Sequence, residues 1–143
     1  MTPTNTTPHM LQNEHERLSR EIADLRTWWQ ELRELGNPHF GEMADRIHAF
    51  REHLADHFQH EVRYRERADT TQLSENAQER LAELHAQHDA FLEKLDRLQV
   101  ALSTCDAGIN CWGDAGGAFD AILNELEEHE QDERKVFLSE NMI

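Results

Sequence analysis

The stretch that decides the fold is FREHLADHFQHEVRY, residues 50–64, and the stretch ILNELEEHEQDERKV, residues 122–136, has the same pattern. In each, apolar residues recur at spacings of three and four. A histidine and a glutamate four residues apart replace apolar residues on the same line. This spacing predicts an amphipathic α-helix whose apolar stripe faces a core. Both stretches therefore predict a helix that carries a His-x-x-x-Glu pair into the protein interior.

The sequence predicts four long helices, and the two stretches lie in the second and the fourth of them. They cover about residues 9–35, 39–68, 72–103 and 118–139. Gly36-Asn37-Pro38 ends the first helix, since glycine suits a helix C-terminus and proline cannot continue one. The polar segment 69–71 separates the second and third helices and offers N-caps. Segment 104–117, which holds four of the six glycines, is the one predicted long loop. Short connections make neighbours antiparallel, so the predicted fold is all-α, an up-down-up-down four-helix bundle.

Six ionisable residues interrupt the predicted apolar stripes. They are His15, His57, Glu61, His88, His129 and Glu133. Unpaired ionisable groups in a small core are strongly destabilising, so their burial needs a shared purpose. Metal ligation fits a set of imidazoles and carboxylates. Six ligands are too many for one tetrahedral zinc and predict two metal ions, each held by two histidines, with the glutamates as bridges.

The two halves of the chain repeat the same ligand pattern. His15 and Leu18 align with His88 and Phe91 at an offset of 73, and the two His-x-x-x-Glu pairs align at an offset of 72. Within each half, the two histidines lie at nearly equal distances along the chain from the connection between their helices. Since helices rise about 1.5 Å per residue, the histidines are expected at similar heights. The sequence therefore predicts an internally duplicated helical hairpin with its metals near a pseudo-two-fold axis.

Other polar residues near the predicted site have no assigned ligand role. His85 lies three residues before His88 but off the centre of the stripe, so the sequence leaves open whether His85 or water completes the second metal position. Tyr64 lies on the stripe of the second helix and is predicted to be a core residue. Glu14 and Glu16 are predicted to lie on a solvated face.

The composition excludes several classes of partner. The net charge of −15 repels phosphate backbones, so no nucleic acid is expected, and it disfavours anionic membrane surfaces. The sequence has no apolar run of about 18 residues, so no membrane-spanning helix is predicted. Residues 1–8 are predicted to form a disordered tail without the apolar stretch of a signal peptide, and residues 9–143 a single domain. The expected location is cytoplasmic, where Cys105 and Cys111 would stay reduced.

The sequence resembles the hemerythrin-like, or HHE cation-binding, family from residue 15 to residue 137. Four motifs carry the resemblance: EHERL at 14–18, HFQHE at 57–61, QHDAFL at 87–92 and HEQDERKVF at 129–137. The resemblance implies a four-helix bundle with a non-haem di-iron centre, so two iron ions are expected rather than zinc or manganese. It assigns one iron to His15 and His57, the other to His88 and His129, and the bridging carboxylates to Glu61 and Glu133.

Two positions depart from the oxygen-carrying members of that family. The carriers have a fifth histidine one turn before the residue matching His88, where this chain has Leu84. They also place the last carboxylate five residues after the final histidine, whereas this chain has Arg134 there and Glu133 one residue earlier. Both departures resemble the bacterial branch of the family. Because fewer histidines leave open or water-filled metal positions, they argue against a reversible oxygen carrier.

Three functions are compatible with these observations. The first is binding of, or reaction with, a small molecule such as O₂, NO or H₂O₂, by a sensor, binder or slow redox protein. The second is iron storage, iron donation or repair of iron centres, which rests on the resemblance. The third is a zinc-stabilised interaction module. The sequence contains neither a Ser-His-Asp arrangement nor a glycine-rich phosphate loop, so hydrolysis is not predicted. The redox partner, the oligomeric state and the assignment as an enzyme stay open.

Overall fold

A computed structural model describes residues 8–35, 40–67, 73–104 and 109–140, which are helical almost throughout. The helical segments are α1 (Pro8–Leu35), α2 (Phe40–Glu66), α3 (Glu75–His85), α4 (His88–Thr104) and α5 (Ile109–Ser139). The first two helices begin and end close to the predicted positions. The prediction of an all-α helical bundle is confirmed.

The helices are arranged as a ring of four. Helix α1 packs against α2 and α5, and the third corner, formed by α3 and α4 in succession, packs against the same α2 and α5. Each helix thus contacts the helices that precede and follow it in the chain, and the first closes the ring with the last. This is the neighbour relationship of an up-down-up-down bundle.

Two apolar clusters fill the interior, one on each side of a polar layer. The larger cluster includes Leu18, Phe50, Phe91 and Leu126. The smaller one consists of Leu11, Tyr64, Leu73, Ala77, Leu81, Leu84, Val136 and Phe137. The order of clusters along the chain reverses from one helix to the next. In α1 the polar residue His15 comes after the smaller cluster, whereas in α2 the polar residues come before it. This alternation is what antiparallel neighbours require, and it places all predicted metal ligands at one level.

The third helix of the bundle is divided, which the sequence analysis did not predict. Helix α3 ends at His85, and a turn at Ala86 and Gln87 separates it from α4. The amide of Gln87 donates to the carbonyl of Leu84 at 3.1 Å, which is the tighter i to i−3 bond of a 3₁₀ turn. The prediction of one continuous helix over residues 72–103 is therefore wrong.

The predicted loop over residues 104–117 is also wrong for most of its length, because α5 begins at residue 109. Glycine is disfavoured within a helix, and that preference predicted a loop. Packing overrides it at Gly116, where an ideal Cβ would overlap ring carbons of Trp29. The missing side chain lets α5 approach α1 closely. Cys105 lies outside the described residues and the Cys111 side chain is likewise not described, so the prediction of reduced cysteines stays a prediction.

The start of α3 is fixed by a side-chain cap and by the end of α5. The hydroxyl of Ser74 accepts a hydrogen bond from the amide of Ala77 at 3.2 Å, which satisfies one of the unpaired amides of the first turn. The carboxylate of Glu140 accepts from the amide of Ser74 at 2.6 Å, and this hydrogen bond lowers the pKa of Glu140. The caps predicted within segment 69–71 lie outside the described residues.

Across the ranges that the structure describes, no helix combines the length and the hydropathy needed to cross a membrane. Residues 1–7 of the predicted tail are outside those ranges, while Pro8 opens α1. The disordered tail and the single domain over residues 9–143 therefore stay predictions.

Replacing Gly116 with alanine should destabilise the bundle by about 1–3 kcal/mol, the usual cost of overpacking a core. The added methyl group would push the Trp29 ring out of its place. Gly117 is the matched control, because it is exposed, helical and has nothing within 4 Å of an added Cβ. Gly117→Ala should instead raise the free energy of unfolding by about 0.5–1 kcal/mol. Denaturant unfolding of the two variants measures both effects, and equal stabilities would contradict the packing described.

Candidate metal centre

All six residues predicted as ligands are buried, and their side chains meet in one layer. Within the two His-x-x-x-Glu pairs, His57 Nε2 lies 2.8 Å from Glu61 Oε1, and His129 Nε2 lies 2.5 Å from Glu133 Oε1. The close approach follows from the spacing of four, which places both side chains of a pair on one helix face. Each helix of the bundle therefore contributes at least one potential metal ligand to this layer.

The other two histidines approach the same pair of glutamates. His15 Nε2 lies 3.8 Å from a Glu61 oxygen and 3.6 Å from a Glu133 oxygen. His88 Nε2 lies 3.4 Å from Glu133 Oε1 and 4.0 Å from Glu61 Oε1. The predicted equal heights within each half appear as ring-to-ring distances of 4.7 Å for His15 with His57 and 5.1 Å for His88 with His129. The structure therefore brings together every residue that the stripes singled out.

Two groups of donor atoms can be distinguished in the described part of the chain, each spanning no more than 4.8 Å. The first consists of His15, His57, Glu61, Glu130 and Glu133, and the second of Glu61, His85, His88 and Glu133. Glu61 and Glu133 belong to both groups, so they lie where bridging carboxylates would have to lie. His129 is in neither group, but its Nε2 contacts a Glu133 oxygen.

Glu130 is a buried carboxylate that the sequence analysis missed. It follows His129 directly, so it points away from the stripe through His129 and toward α1. One of its oxygens lies 3.0 Å from His15 Nε2 and 3.5 Å from His57 Nε2. A second buried line along α5, through Leu123, Leu126, Glu130, Glu133 and Phe137, could have revealed it. Helix α5 contacts both α1 and α4, so it has two buried faces, each marked by its own line of buried residues.

His85 is also inside the site. It is 8% exposed, and its ring centroid lies 4.8 Å from that of His88. The fifth histidine of the oxygen carriers is missing at Leu84, which instead packs in the smaller apolar cluster. The turn at residues 86–87 brings the neighbouring ring into the layer. The sequence left open whether His85 or water completes the second metal position, and the structure places His85 beside it. Whether His85 is a metal ligand depends on the contacts of its two ring nitrogens.

Glu14 does not lie on a solvated face, contrary to the prediction. Its side chain is 16% exposed, and its two oxygens lie 2.7 Å from Nδ1 of His57 and 2.7 Å from Nδ1 of His60. A carboxylate at Nδ1 places the proton of the His57 ring there, which leaves Nε2 free to bind a metal. Burial opposes ionisation of this carboxyl, but the two histidines lower the pKa of Glu14 below its ordinary value. Glu16 is exposed, as predicted.

His129 and His88 are oriented in other ways. The side-chain oxygen of Gln87 lies 3.0 Å from Nδ1 of His129, so Nε2 of that ring, which faces the centre beside Glu133, is the nitrogen left for a metal. The ring of His88 stacks on Phe58 with the two centroids 3.6 Å apart and the planes 3° from parallel. Phe58 also contacts Phe91 and therefore holds His88 against the larger apolar cluster.

Electrostatics divide the histidines into two kinds. Burial opposes protonation of His15 and His57, but Glu130 and Glu61 outweigh it and raise the pKa of both rings, that of His15 to about 9. Burial likewise opposes ionisation of Glu61 and Glu130, yet the neighbouring histidines lower the pKa of both carboxyls. Without a metal, protons on these two rings therefore compensate the buried carboxylates.

The histidines of the other half behave differently. Burial, together with the charges of nearby histidines, lowers the pKa of His88 to about 3 and also lowers the pKa of His129. Both rings therefore remain neutral near pH 7 and keep a lone pair available. A neutral imidazole is the form that binds a metal ion, so this half needs no proton release.

The unsatisfied atoms of the layer fit divalent cations. Several buried atoms have no well-formed hydrogen bond, although buried polar atoms nearly always have one. They include Nε2 of His15, His57 and His129, both oxygens of Glu61 and Glu130, and one oxygen of Glu133. Once the protons on His15 and His57 are released, all of these atoms offer lone pairs to a common space. Imidazole nitrogens with carboxylate oxygens suit iron, zinc or manganese, so the residues present fit a two-metal centre.

A cleft between α1 and α5 opens toward this layer. Its volume is about 650 Å³, and its lining includes Gln12, His15, Arg20, Glu130 and Arg134. Three members of that lining are buried, namely His15, Ile22 and Glu130. Because His15 and Glu130 belong to the first donor group, the cleft connects that group with solvent. It is large enough for a small molecule or a hydrated ion to approach the site.

One of three comparisons with known proteins identifies a family. The family described as "Hemerythrin HHE cation binding domain" matches residues 6–140. No match was found among curated proteins or among solved structures.

The pKa shifts predict how the stability of the metal-free chain depends on pH. Because the folded-state pKa of His15 is raised to about 9, its contribution is fully present below pH 6.5 and is lost as the pH rises through about 9. The lowered pKa of His88 acts in the opposite direction, since the unfolded chain gains a proton below pH 6.5. The free energy of unfolding of the chelator-treated protein should therefore be highest near pH 6.5. Denaturant unfolding on both sides of this pH measures it, and equal values at pH 6.5 and 9 would contradict the assignment.

Glu14→Ala should weaken metal binding by about 10–100-fold, the usual effect of removing a carboxylate that orients a ligating histidine. The variant leaves Nδ1 of His57 without its acceptor. Glu16→Ala is the control, because it removes the same charge from an exposed neighbour. Competition with a chelator measures both affinities. Equal losses in the two variants would mean that Glu14 acts only through its charge.

Proposed function

Since the chain belongs to the hemerythrin HHE cation-binding domain family, we propose that it is a non-haem di-iron protein that binds or reacts with a small molecule such as O₂, NO or H₂O₂. The observation that carries the proposal is the pair of buried donor groups that share Glu61 and Glu133. Two cations a few ångströms apart repel each other, and shared carboxylates reduce that repulsion.

Each metal ion would have its own pair of histidine ligands. His15 and His57 would hold one ion, His88 and His129 the other, and Glu61 with Glu133 would bridge them. The irons would supply the electrons and the open positions needed to bind a diatomic molecule or a peroxide. The histidines and glutamates would hold the ions in position, and the carboxylates would offset their charge. Glu130 adds a third carboxylate on the side of the first ion.

The surroundings of the layer suit a small ligand. Phe58 and Phe91 form an apolar wall beside the second half of the site, and Leu84 belongs to the cluster on its other side. Apolar walls exclude bulk water, which strengthens the electrostatic interactions inside. The cleft at His15 and Glu130 supplies a way in from solvent.

Iron donation is the second candidate, and the same cleft favours it. Glu130 lies on the cleft lining and contacts His15, so a carboxylate stands at the entrance to the first metal position. A buried carboxylate at the inner end of the cleft suits transfer of an ion to an acceptor that approaches through the cleft. Iron transfer to an apo acceptor that is faster than transfer to a chelator would favour this role. Release at equal rates would oppose it.

Protein expressed with iron available should contain about two irons per chain, measured by elemental analysis. His57→Ala combined with His129→Ala should lose both, because it removes one nitrogen ligand from each metal. His48→Ala combined with His53→Ala is the matched control, since both of these histidines are exposed. It should retain the metal content of the original chain.

The same samples test the chemistry. The anaerobic ferrous protein should gain near-ultraviolet and visible absorption when it is exposed to O₂ or peroxide, and the double variant at His57 and His129 should not. A spectrum unchanged by both oxidants would contradict the small-molecule function while leaving the metal site standing. Zinc as the only bound metal would indicate a zinc-stabilised interaction module instead.

A further inference from the structure

The two nitrogens of His85 have unlike surroundings. Nδ1 accepts a hydrogen bond from Nε of Arg65 at a distance of 3.1 Å. A guanidinium remains charged at every accessible pH and has only donors. The nitrogen that faces it must therefore carry a lone pair, and in a neutral imidazole the proton then lies on Nε2.

This tautomer is the reverse of that in the neighbouring metal-site histidines. Nδ1 of His57 faces the carboxylate of Glu14, and Nδ1 of His129 faces the side-chain oxygen of Gln87. An acceptor at Nδ1 holds the proton there and leaves Nε2 free for a metal. A donor at Nδ1 does the opposite. Arg65 thus sets His85 apart from two rings that share the same buried layer.

The Nε2–H group of His85 points into the site without an acceptor. The nearest carboxylate atoms are Glu61 Oε2 at 3.7 Å and Glu133 Oε1 at 4.0 Å, both beyond hydrogen-bond distance. The side chain is 3% exposed, so water at the surface cannot satisfy the group. A buried donor left unpaired costs free energy and is rare. Its partner therefore has to come from a molecule that enters the layer.

We propose that His85 is a hydrogen-bond donor, through Nε2, to the small molecule held at the second metal position, and that Arg65 fixes this tautomer. The inference rests on the proposed function and narrows it. His85 belongs with His88, Glu61 and Glu133 to the second donor group, so its N–H faces the space where that ligand would bind. A donor at this point favours a ligand with an accessible lone pair or negative charge.

The competing role for His85, a fifth imidazole ligand, needs the other tautomer. Nε2 would then bind the metal, and Nδ1 would carry the proton. That N–H would face the Nε–H of Arg65, two donors 3.1 Å apart with nothing between them to accept. Ligation therefore requires Arg65 to leave its place, whereas donation requires no change.

The first test is His85→Leu in the iron-loaded chain, with azide as the probe of the open metal position. The iron content should stay at about two per chain, because no ligand is removed. Azide affinity should fall about fivefold to tenfold, the usual effect of losing one hydrogen bond. Loss of one of the two irons would overturn the proposal, and so would unchanged azide affinity.

The second test reverses the tautomer. In Arg65→Glu, a carboxylate would accept from Nδ1 and make His85 resemble His57 beside Glu14, so Nε2 would become a metal ligand. Iron should dissociate more slowly in a chelator, and azide should bind more weakly. Arg63→Glu is the control for the charge change, since Arg63 is exposed on the same helix. Equal behaviour of the two variants would overturn the role of Arg65.

A third measurement does not depend on the iron chemistry. Nitrogen chemical shifts of the histidine rings in the zinc-loaded chain should show a protonated Nε2 and an unprotonated Nδ1 for His85, with the reverse proton position for His57. A zinc-bound Nε2 on His85 would overturn the proposal. If the chain bound no metal, the proposed function would fail, while the same shifts in the metal-free chain would still report the tautomer of His85.

Discussion

Mutual repulsion among three buried carboxylates is the constraint on which the rest of the structure depends. Glu61, Glu130 and Glu133 are each at most 9% exposed and share one layer. They can stay ionised there only if positive charge is supplied within a few ångströms. In the metal-free chain, protons on His15 and His57 supply it, as their raised pKa values show. Metal ions bound in the same layer would take over that role and displace the protons.

The packing around the layer serves this exchange of protons for metal. An apolar cluster on each side keeps bulk water away, so the charges interact strongly. The histidine rings are held in place by contacts outside the layer, from Glu14, Gln87 and Phe58. The contacts from Glu14 and Gln87 also determine which nitrogen of His57 and of His129 is left for a metal. The fold therefore determines position and protonation together.

The six predicted ligands could be found from the sequence because each interrupts a regular apolar stripe. An ionisable side chain at such a position is buried and needs an interaction partner, whichever neighbouring helix it faces. Glu130 lies off the stripe through His129 because α5 has two buried faces, and a single apolar stripe marks only one of them. The turn at Ala86 and Gln87 has no glycine or proline to mark it, so the local sequence does not predict it. The direction of the Glu14 side chain depends on where α2 lies, which a single helix cannot reveal. The early start of α5 depends on the contact of Gly116 with Trp29, where tertiary packing overrides a local preference.

The division of the third helix makes one corner of the bundle a separate unit of local stability. Helix α3 has 11 residues, fewer than an isolated helix needs to persist in water. It is held by Leu81 and Leu84 in the smaller cluster and by the Glu140 carboxylate at its first turn. We expect this segment to open before the long helices do, in the manner of other short elements of low local stability. Its detachment would uncover the second half of the layer while the first half keeps its ligands. The two metal positions would then exchange with solvent at different rates, although the halves of the sequence repeat the same pattern.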